Sequence, residues 1–195
     1  MNRREEIEWC DVWITNAQAE GLPRALLVGD SMTHSYYPTV AAELRGRFNC
    51  ARLTTSKCVC DTSFRRELDL VLADYRFAVI HFNNGLHGWD YTEAEFASAL
   101  PPILDVLRAA APLIWASSTP MRKASDLAAF DEKTARVRQR NQLAAAAATA
   151  RQIPINDLFA LSEEHPEYYS ADGVHFQDAG RQVLGRQVAR FIQQF

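Results

Sequence analysis

Three short blocks of the sequence carry side chains that chemistry can use. The first is Gly29-Asp30-Ser31-Met32-Thr33-His34-Ser35, directly after the apolar run Ala25-Leu-Leu-Val28. A serine on a turn from strand to helix stands among backbone N–H groups that have no partner yet, and these can hydrogen-bond an oxyanion forming on a substrate. The second is Ser170-Ala-Asp172-Gly-Val-His175-Phe. A carboxylate three residues ahead of a histidine can turn back in one tight loop and hold the imidazole in one tautomer, leaving its other nitrogen to take a proton. The third is Phe82-Asn83-Asn84-Gly85-Leu86-His87-Gly88. Two amides, two glycines and a histidine at the end of an apolar run have no packing rationale, because Asn and Gly both weaken strands. Each block also has a plain structural reading: a polar helix start, a capping loop with Asp172 on nearby backbone and His175 on the surface, or a turn. The three together point to a nucleophilic hydroxyl with a base, an orienting carboxylate and an amide donor.

These blocks act together only if the chain brings them to one place. Short apolar runs alternate with longer amphipathic ones, the pattern of parallel strands joined by helical crossovers. Strands are expected at Ala25–Val28, near Phe48–Leu53, at Phe77–Phe82, at Leu113–Ala116 and around Ile153–Ile155. Between them, Leu68, Val71, Leu72 and Tyr75 form a helical stripe after the cap candidates Asp61 and Ser63. Thr92-Glu-Ala-Glu95 reads as a capping box before Phe96, Leu100, Ile103, Leu104 and Leu107, with Pro101-Pro102 expected to break or kink that helix. Pro38 suits the first position of the helix after Ser31. An Ala-rich helix carries Phe130, Thr134, Val137 and Asn141 on one stripe. Asp178 is the cap expected for the last helix, whose Val183, Leu184, Val188, Phe191, Ile192 and Phe195 face the core. Residues 1–22 are expected to hold an amino-terminal helix that packs Trp9, Val12, Trp13 and Ala17 on the body. The reading is one α/β domain over 1–195, a three-layer α/β/α sandwich on a five-stranded parallel sheet. Such open sheets bind ligands at the carboxyl ends of their strands, where all three blocks fall.

Gly29-Asp30-Ser31 early in the chain, the Asn/Gly-rich block after the third strand and Asp172-Gly-Val-His175 near the end resemble the SGNH hydrolases, also called GDSL esterases and lipases. The resemblance runs from Leu26 to Phe195, and Asp-x-x-His is its most specific part. It implies a flavodoxin-like fold of five parallel strands, Ser31 as nucleophile, His175 as base and Asp172 as its orienter. The Ser31 N–H would join the oxyanion hole. The family's glycine donor after the second strand has no counterpart in Thr54-Thr-Ser-Lys-Cys58-Val-Cys60-Asp61, so an N–H at Val59 or Cys60 takes that place. The family's side-chain oxyanion donor falls on Asn83 when counted from the strand, while counting from Gly85 puts His87 where the family has asparagine.

Composition narrows the partners. The 195 residues are 48% hydrophobic and 23% charged, as in a folded domain, and 21 Lys+Arg against 24 Asp+Glu give a net charge of −3. No basic stripe exists for a nucleic-acid backbone. The charged start Asn2-Arg-Arg-Glu-Glu-Ile-Glu is unlike a secretory leader and no run is long enough to span a bilayer, so a cytoplasmic protein without a membrane partner is expected. Cys10, Cys50, Cys58 and Cys60 read as reduced thiols; Cys-x-Cys without a second pair does not make a metal site, and no cofactor is implied. There is no phosphate-cradling glycine loop, and Thr33 stands where an α/β-hydrolase elbow has glycine. His34 has no orienting carboxylate nearby, His81 suits a core position, and His165 suits a loop. The expected function is hydrolysis of a short-chain, acetyl-like ester of a small molecule through an acyl-serine. Its alternatives are acyl transfer to a sugar hydroxyl and a binding module of the same fold without turnover. Trp89, Tyr91, Tyr36 and Tyr37 are expected near the crevice; the oligomeric state is not expressed in the sequence.

Overall fold

The computed structural model describes residues 2–195. In chain order its elements are β1 Cys10–Ile14, β2 Arg24–Gly29, α1 Ser31–Glu43, β3 Asn49–Thr55, α2 Thr62–Asp74, β4 Val79–Phe82, α3 Glu93–Ala110, β5 Leu113–Ala116, β6 Arg122–Lys123, β7 Asp126–Phe130, α4 Lys133–Thr149, β8 Ile155–Asn156, α5 Leu158–Glu163 and α6 Asp178–Ile192. A 3₁₀ turn at Pro166–Tyr168 precedes α6. The main sheet is six-stranded in the order β1-β3-β2-β4-β5-β8. Strands β3, β2, β4, β5 and β8 are mutually parallel, as the alternating pattern predicts. Taken alone, these five have the flavodoxin-like order, in which the crossover direction reverses between the first and third strands. Here those strands are β2 and β4, the two that lead into the Ser31 and Asn83 blocks.

Buried parallel strands must be apolar on both faces, and alternation along β2 divides the core in two. Ala25 and Leu27 pack with Tyr36 and Val40 of α1 and with Leu184, Val188 and Ile192 of α6. Leu26 and Val28 pack on the other side with Phe64 and Leu68 of α2 and with Phe96, Leu104 and Leu107 of α3. This is the expected three-layer arrangement. Helix α6 approaches α1 at Gly185, where a β-carbon would lie 2.5 Å from Thr39 Cβ and 3.1 Å from the Tyr36 carbonyl.

The amino-terminal helix is not formed. Residues Cys10–Ile14 instead make a sixth strand, antiparallel to β3, with Arg52 Nε 2.7 Å from Asp11 Oδ1 across the pair. The β-branched and aromatic residues of Cys10-Asp-Val-Trp-Ile suit a strand, and the open edge of β3 supplies ladder partners that outweigh the helical spacing of four apolar residues. Nor do both tryptophans pack on the body: Trp13 is 56% exposed. A hairpin β6–β7 precedes the Ala-rich helix and takes Phe130 out of it, so that helix starts only at Lys133. Helix α3 runs unbroken through Pro101-Pro102. Burying Phe96, Leu100, Ile103, Leu104 and Leu107 on the sheet, at about 1.5–3 kcal/mol per side chain, outweighs a penalty of about 3 kcal/mol per proline. Pro38 sits inside α1, because that helix already begins at Ser31. The cap of α6 is Gln177, with Asp178 in the first turn, while Asp61 and Thr92 cap α2 and α3 as expected.

The α1–α6 contact at Gly185 yields a direct test. Gly185→Ala inserts a methyl group where none fits and is expected to lower stability by about 1–3 kcal/mol in urea unfolding. An unchanged midpoint would mean that α1 and α6 can part at this contact without cost.

Candidate active site

Ser31 is the first residue of α1, and Asp30 is its N-cap, in extended backbone with Oδ1 accepting the Met32 N–H at 2.9 Å. The Ser31 N–H has no acceptor among the described residues and stands at the positive end of the helix. Asp30 is 1% exposed and its Oδ2 has no partner. Burial pushes its carboxyl above the ordinary range, against the opposing influence of His87, the Met32 N–H and His175.

The loop that carries His175 is folded by its own side chains. Asp172 Oδ1 accepts the N–H groups of Val174 and His175 at 2.9 Å each and the Ser170 hydroxyl at 2.9 Å. Gly173 turns the chain at φ 73°, and a β-carbon there would meet the Arg122 carbonyl at 2.1 Å, so the position requires glycine. The second oxygen, Asp172 Oδ2, lies 2.7 Å from His175 Nδ1, and His175 Nε2 lies 2.9 Å from Ser31 Oγ. Partial burial raises the Asp172 carboxyl, yet hydrogen bonds from His175, from the Val174 and His175 backbone and from Ser170 hold it well below the ordinary range. An ionised Asp172 accepts from Nδ1–H and leaves Nε2 as an acceptor for the Ser31 hydroxyl. The spacing of Asp172 and His175 therefore produces the loop it suggested, and the loop reaches Ser31 across 144 residues.

The third block is held from outside. Arg140 of α4, 1% exposed, donates to the carbonyls of Gly85 at 3.1 Å, His87 at 2.7 Å and Gly88 at 2.9 Å. Arg136, one turn earlier, donates to the Trp89 and Tyr91 carbonyls at 2.8 and 2.7 Å and to Glu93 at 2.6 Å. A loop rich in glycine and amides cannot close a ladder of its own, and these guanidinium groups satisfy its carbonyls instead. Two arginines in an Ala-rich helix carry no local sign of this role.

The candidate oxyanion donors fall differently from one another. Asn83 stands at the end of β4 beside Gly29, its N–H on the Val28 carbonyl at 2.9 Å. Its side-chain amide donates to the Ala116 carbonyl at 2.9 Å and meets Ser118 Oγ only at 3.5 Å. Val59 is not a free donor: its N–H bonds Asn84 Oδ1 at 3.1 Å, while Asn84 Nδ2 bonds the Lys57 carbonyl at 3.0 Å. Without a glycine the 57–61 turn leans on this side chain for its own hydrogen bonds. His87 lines the cleft that holds Ser31, with Nδ1 turned to Glu5.

That cleft has a volume of ≈460 Å³, and Leu86, Trp89, Met121 and Val174 form its apolar parts. Trp89 is the expected aromatic that reaches it; Tyr36, Tyr37 and Tyr91 are buried, since their rings complete the core and the base of the loop. The amino-terminal residues Arg3, Arg4, Glu5 and Glu6 form part of its wall, a contribution with no local sign in the sequence because Glu5 meets its partner 82 residues away. His34 is exposed, with Nδ1 3.4 Å from Thr54 Oγ1. His81 is fully buried against Asn156 and burial pushes its pKa down to about 3, a core histidine as expected. His165 pairs with Glu167 away from the cleft. All four cysteines are free. Among the described residues no cluster of His, Cys, Asp and Glu could hold a metal ion, and no helix is long and apolar enough to cross a membrane.

No protein-family model matches the chain, and no curated protein matches it. Solved structures do. A lipase/acylhydrolase from Enterococcus faecalis superposes with a TM-score of 0.71 at 19% identity, over 88% of this chain and 96% of the other. A GDSL-like lipase from Bacteroides thetaiotaomicron gives 0.70 at 16% identity over 88% of each chain. An acetylxylan esterase from Geobacillus stearothermophilus gives 0.68 at 16% identity over 87% and 94%. The architecture is thus shared nearly end to end at low identity.

Arg140→Met tests the clamp on the third block. Losing the donor strands the buried carbonyls of Gly85 and Gly88 and the half-buried one of His87, and is expected to lower stability by about 3 kcal/mol or more in denaturant unfolding, with faster amide exchange at Gly88 and Tyr91. A loss under about 1 kcal/mol with unchanged exchange would show that the loop holds itself.

Proposed function

With the fold of the GDSL and SGNH hydrolases as premise, we propose that this chain is a member of that family and a serine ester hydrolase acting on a short-chain acyl ester of a small molecule. The observation that carries this reading is the continuous chain Ser31 Oγ, His175 Nε2, His175 Nδ1, Asp172 Oδ2, with links of 2.9 and 2.7 Å, at the carboxyl end of β2. A capping loop or a surface histidine gives no reason for such a chain across separate segments; general-base activation of a hydroxyl does.

His175 takes the Ser31 proton as Oγ attacks the acyl carbonyl, and the ionised Asp172 stabilises the imidazolium that results. The Ser31 N–H, free at the start of α1, bonds the oxyanion. Asn83 supplies the amide hydrogen that only approaches Ser118 Oγ at 3.5 Å. Collapse of the tetrahedral intermediate expels the alcohol, which takes its proton from His175. Water then enters by the same base and releases the acid from the acyl-serine. Removing one oxyanion donor typically costs about 3 kcal/mol of barrier, so with Val59 N–H bound to Asn84 a modest turnover is expected. The small apolar part of the cleft, with Arg3, Arg4, Glu5 and Glu6 along its wall, supports a short acyl chain and a polar alcohol rather than a long-chain lipid.

The purified chain should hydrolyse p-nitrophenyl acetate faster than esters of longer acids, with EDTA present throughout. Ser31→Ala and His175→Ala should each lower kcat on the order of 10³-fold or more. If Ser31→Ala retains wild-type turnover, Ser31 is not the nucleophile; if folded wild type is inert on every ester, the chain is a binding module of this fold.

A further inference from the structure

The cleft holds a second carboxylate–imidazole pair built like the first. Glu5 Oε2 lies 2.9 Å from His87 Nδ1, and Glu5 Oε1 accepts the Gly88 N–H at 3.0 Å. Asp172 treats His175 similarly, with one oxygen on backbone N–H groups beside the histidine and the other on Nδ1, whereas Glu5 Oε1 also comes within 3.1 Å of His87 Nδ1. A carboxylate accepting from backbone in this manner acts as an acceptor toward the ring too, so the His87 hydrogen resides on Nδ1. His87 Nε2 has no protein partner among the described residues, and the ring lines the cleft together with Ser31 and His175.

The pair is built rather than incidental. The Arg140 bond fixes the His87 carbonyl, and Trp9 meets the ring edge-on at 6.4 Å between centroids. The segment before β1 is fastened on both sides of Glu5: ahead of it the Arg3 N–H bonds Tyr91 Oη at 2.8 Å, Arg3 pairs with Glu95 at 2.9 Å and Arg4 pairs with Asp61 at 3.0 Å, and beyond it Glu8 pairs with Lys57 at 2.8 Å. The base assigned to Ser31 is His175, so this imidazole has no part in that step.

Resting on the esterase reading above, we propose that Glu5 and His87 determine specificity for the alcohol portion of the substrate: His87 Nε2 accepts a hydrogen bond from a hydroxyl of a polyhydroxylated alcohol, and Glu5 positions the ring. A short acyl group has no hydroxyl to offer, whereas the alcohol of a partly acylated polyol or sugar offers one beside the ester. The charged wall of Arg3, Arg4 and Glu6 suits such an alcohol better than an apolar one. A site built to accept from a hydroxyl discriminates strongly against an analogue without it, because its polar group is then left unpaired.

The test compares kcat/KM on a mono-acetylated methyl glycoside with kcat/KM on p-nitrophenyl acetate, whose leaving group has no free hydroxyl. Wild type, Glu5→Gln, Glu5→Ala and His87→Gln are measured, with thermal unfolding to confirm that each is folded. The glycoside-to-phenyl ratio should fall at least about 10-fold in His87→Gln and Glu5→Ala, mainly through KM, and Glu5→Gln should recover part of it. An unchanged ratio in variants of an active wild type overturns this assignment alone. Wild type inert on both esters overturns the reading of Ser31 and this assignment with it.

Discussion

The 2.9 Å hydrogen bond from Ser31 to His175 joins the start of one helix to the loop before another, and nothing local to either residue brings them together. It exists because α1 and α6 lie against each other on the same face of the sheet, with Tyr36, Val40, Leu184 and Val188 in one core cluster. Gly185 lets the two backbones approach, and Gly173 lets the chain double back so that His175 points at the helix it faces. The parallel sheet fixes the other half of the geometry. Because β2 and β4 are neighbours, the residues that follow them emerge side by side, and the Ser31 and Asn83 blocks share one end of the fold.

Polar groups are arranged with different stringency around this centre. Asp172, half exposed, has every lone pair it needs engaged by backbone, hydroxyl and imidazole donors, which keeps it ionised. Asp30, next to Ser31, is buried with one oxygen unpartnered, and burial favours its neutral form. Such a group lowers stability and is retained where it caps the helix that presents the serine. The third block relies on Arg140 and Arg136 for its shape. A loop with no ladder of its own can be rigid only if distant donors satisfy its carbonyls, and this one has two planar guanidinium groups stacked near the Trp89 ring.

Much of this was legible in the sequence where the signal is local. Apolar runs located all five parallel strands, Thr92 and Asp61 announced their caps, and Asp172-Gly-Val-His175 carries its own folding instructions because one carboxylate bonds three neighbours, Ser170, Val174 and His175. Signals failed where a tertiary partner decides. Cys10–Ile14 has apolar residues at helical spacing, yet the free edge of β3 makes it a strand. Pro101-Pro102 looked like a break, yet the apolar stripe holds the helix to the sheet. Val59 looked like a spare donor, yet Asn84 takes its N–H. Glu5 and Arg140 had no signature at all, since each acts on a loop more than fifty residues away in the chain.

The central claim is that Ser31 is a nucleophile activated by His175, and the most direct measurement is covalent. The chain is treated with a fluorophosphonate, digested and mapped by mass spectrometry, beside a His175→Ala control. One adduct is expected, on the peptide containing Ser31, formed far more slowly in His175→Ala. No adduct on folded protein, an adduct on another residue, or equal labelling in His175→Ala would contradict it.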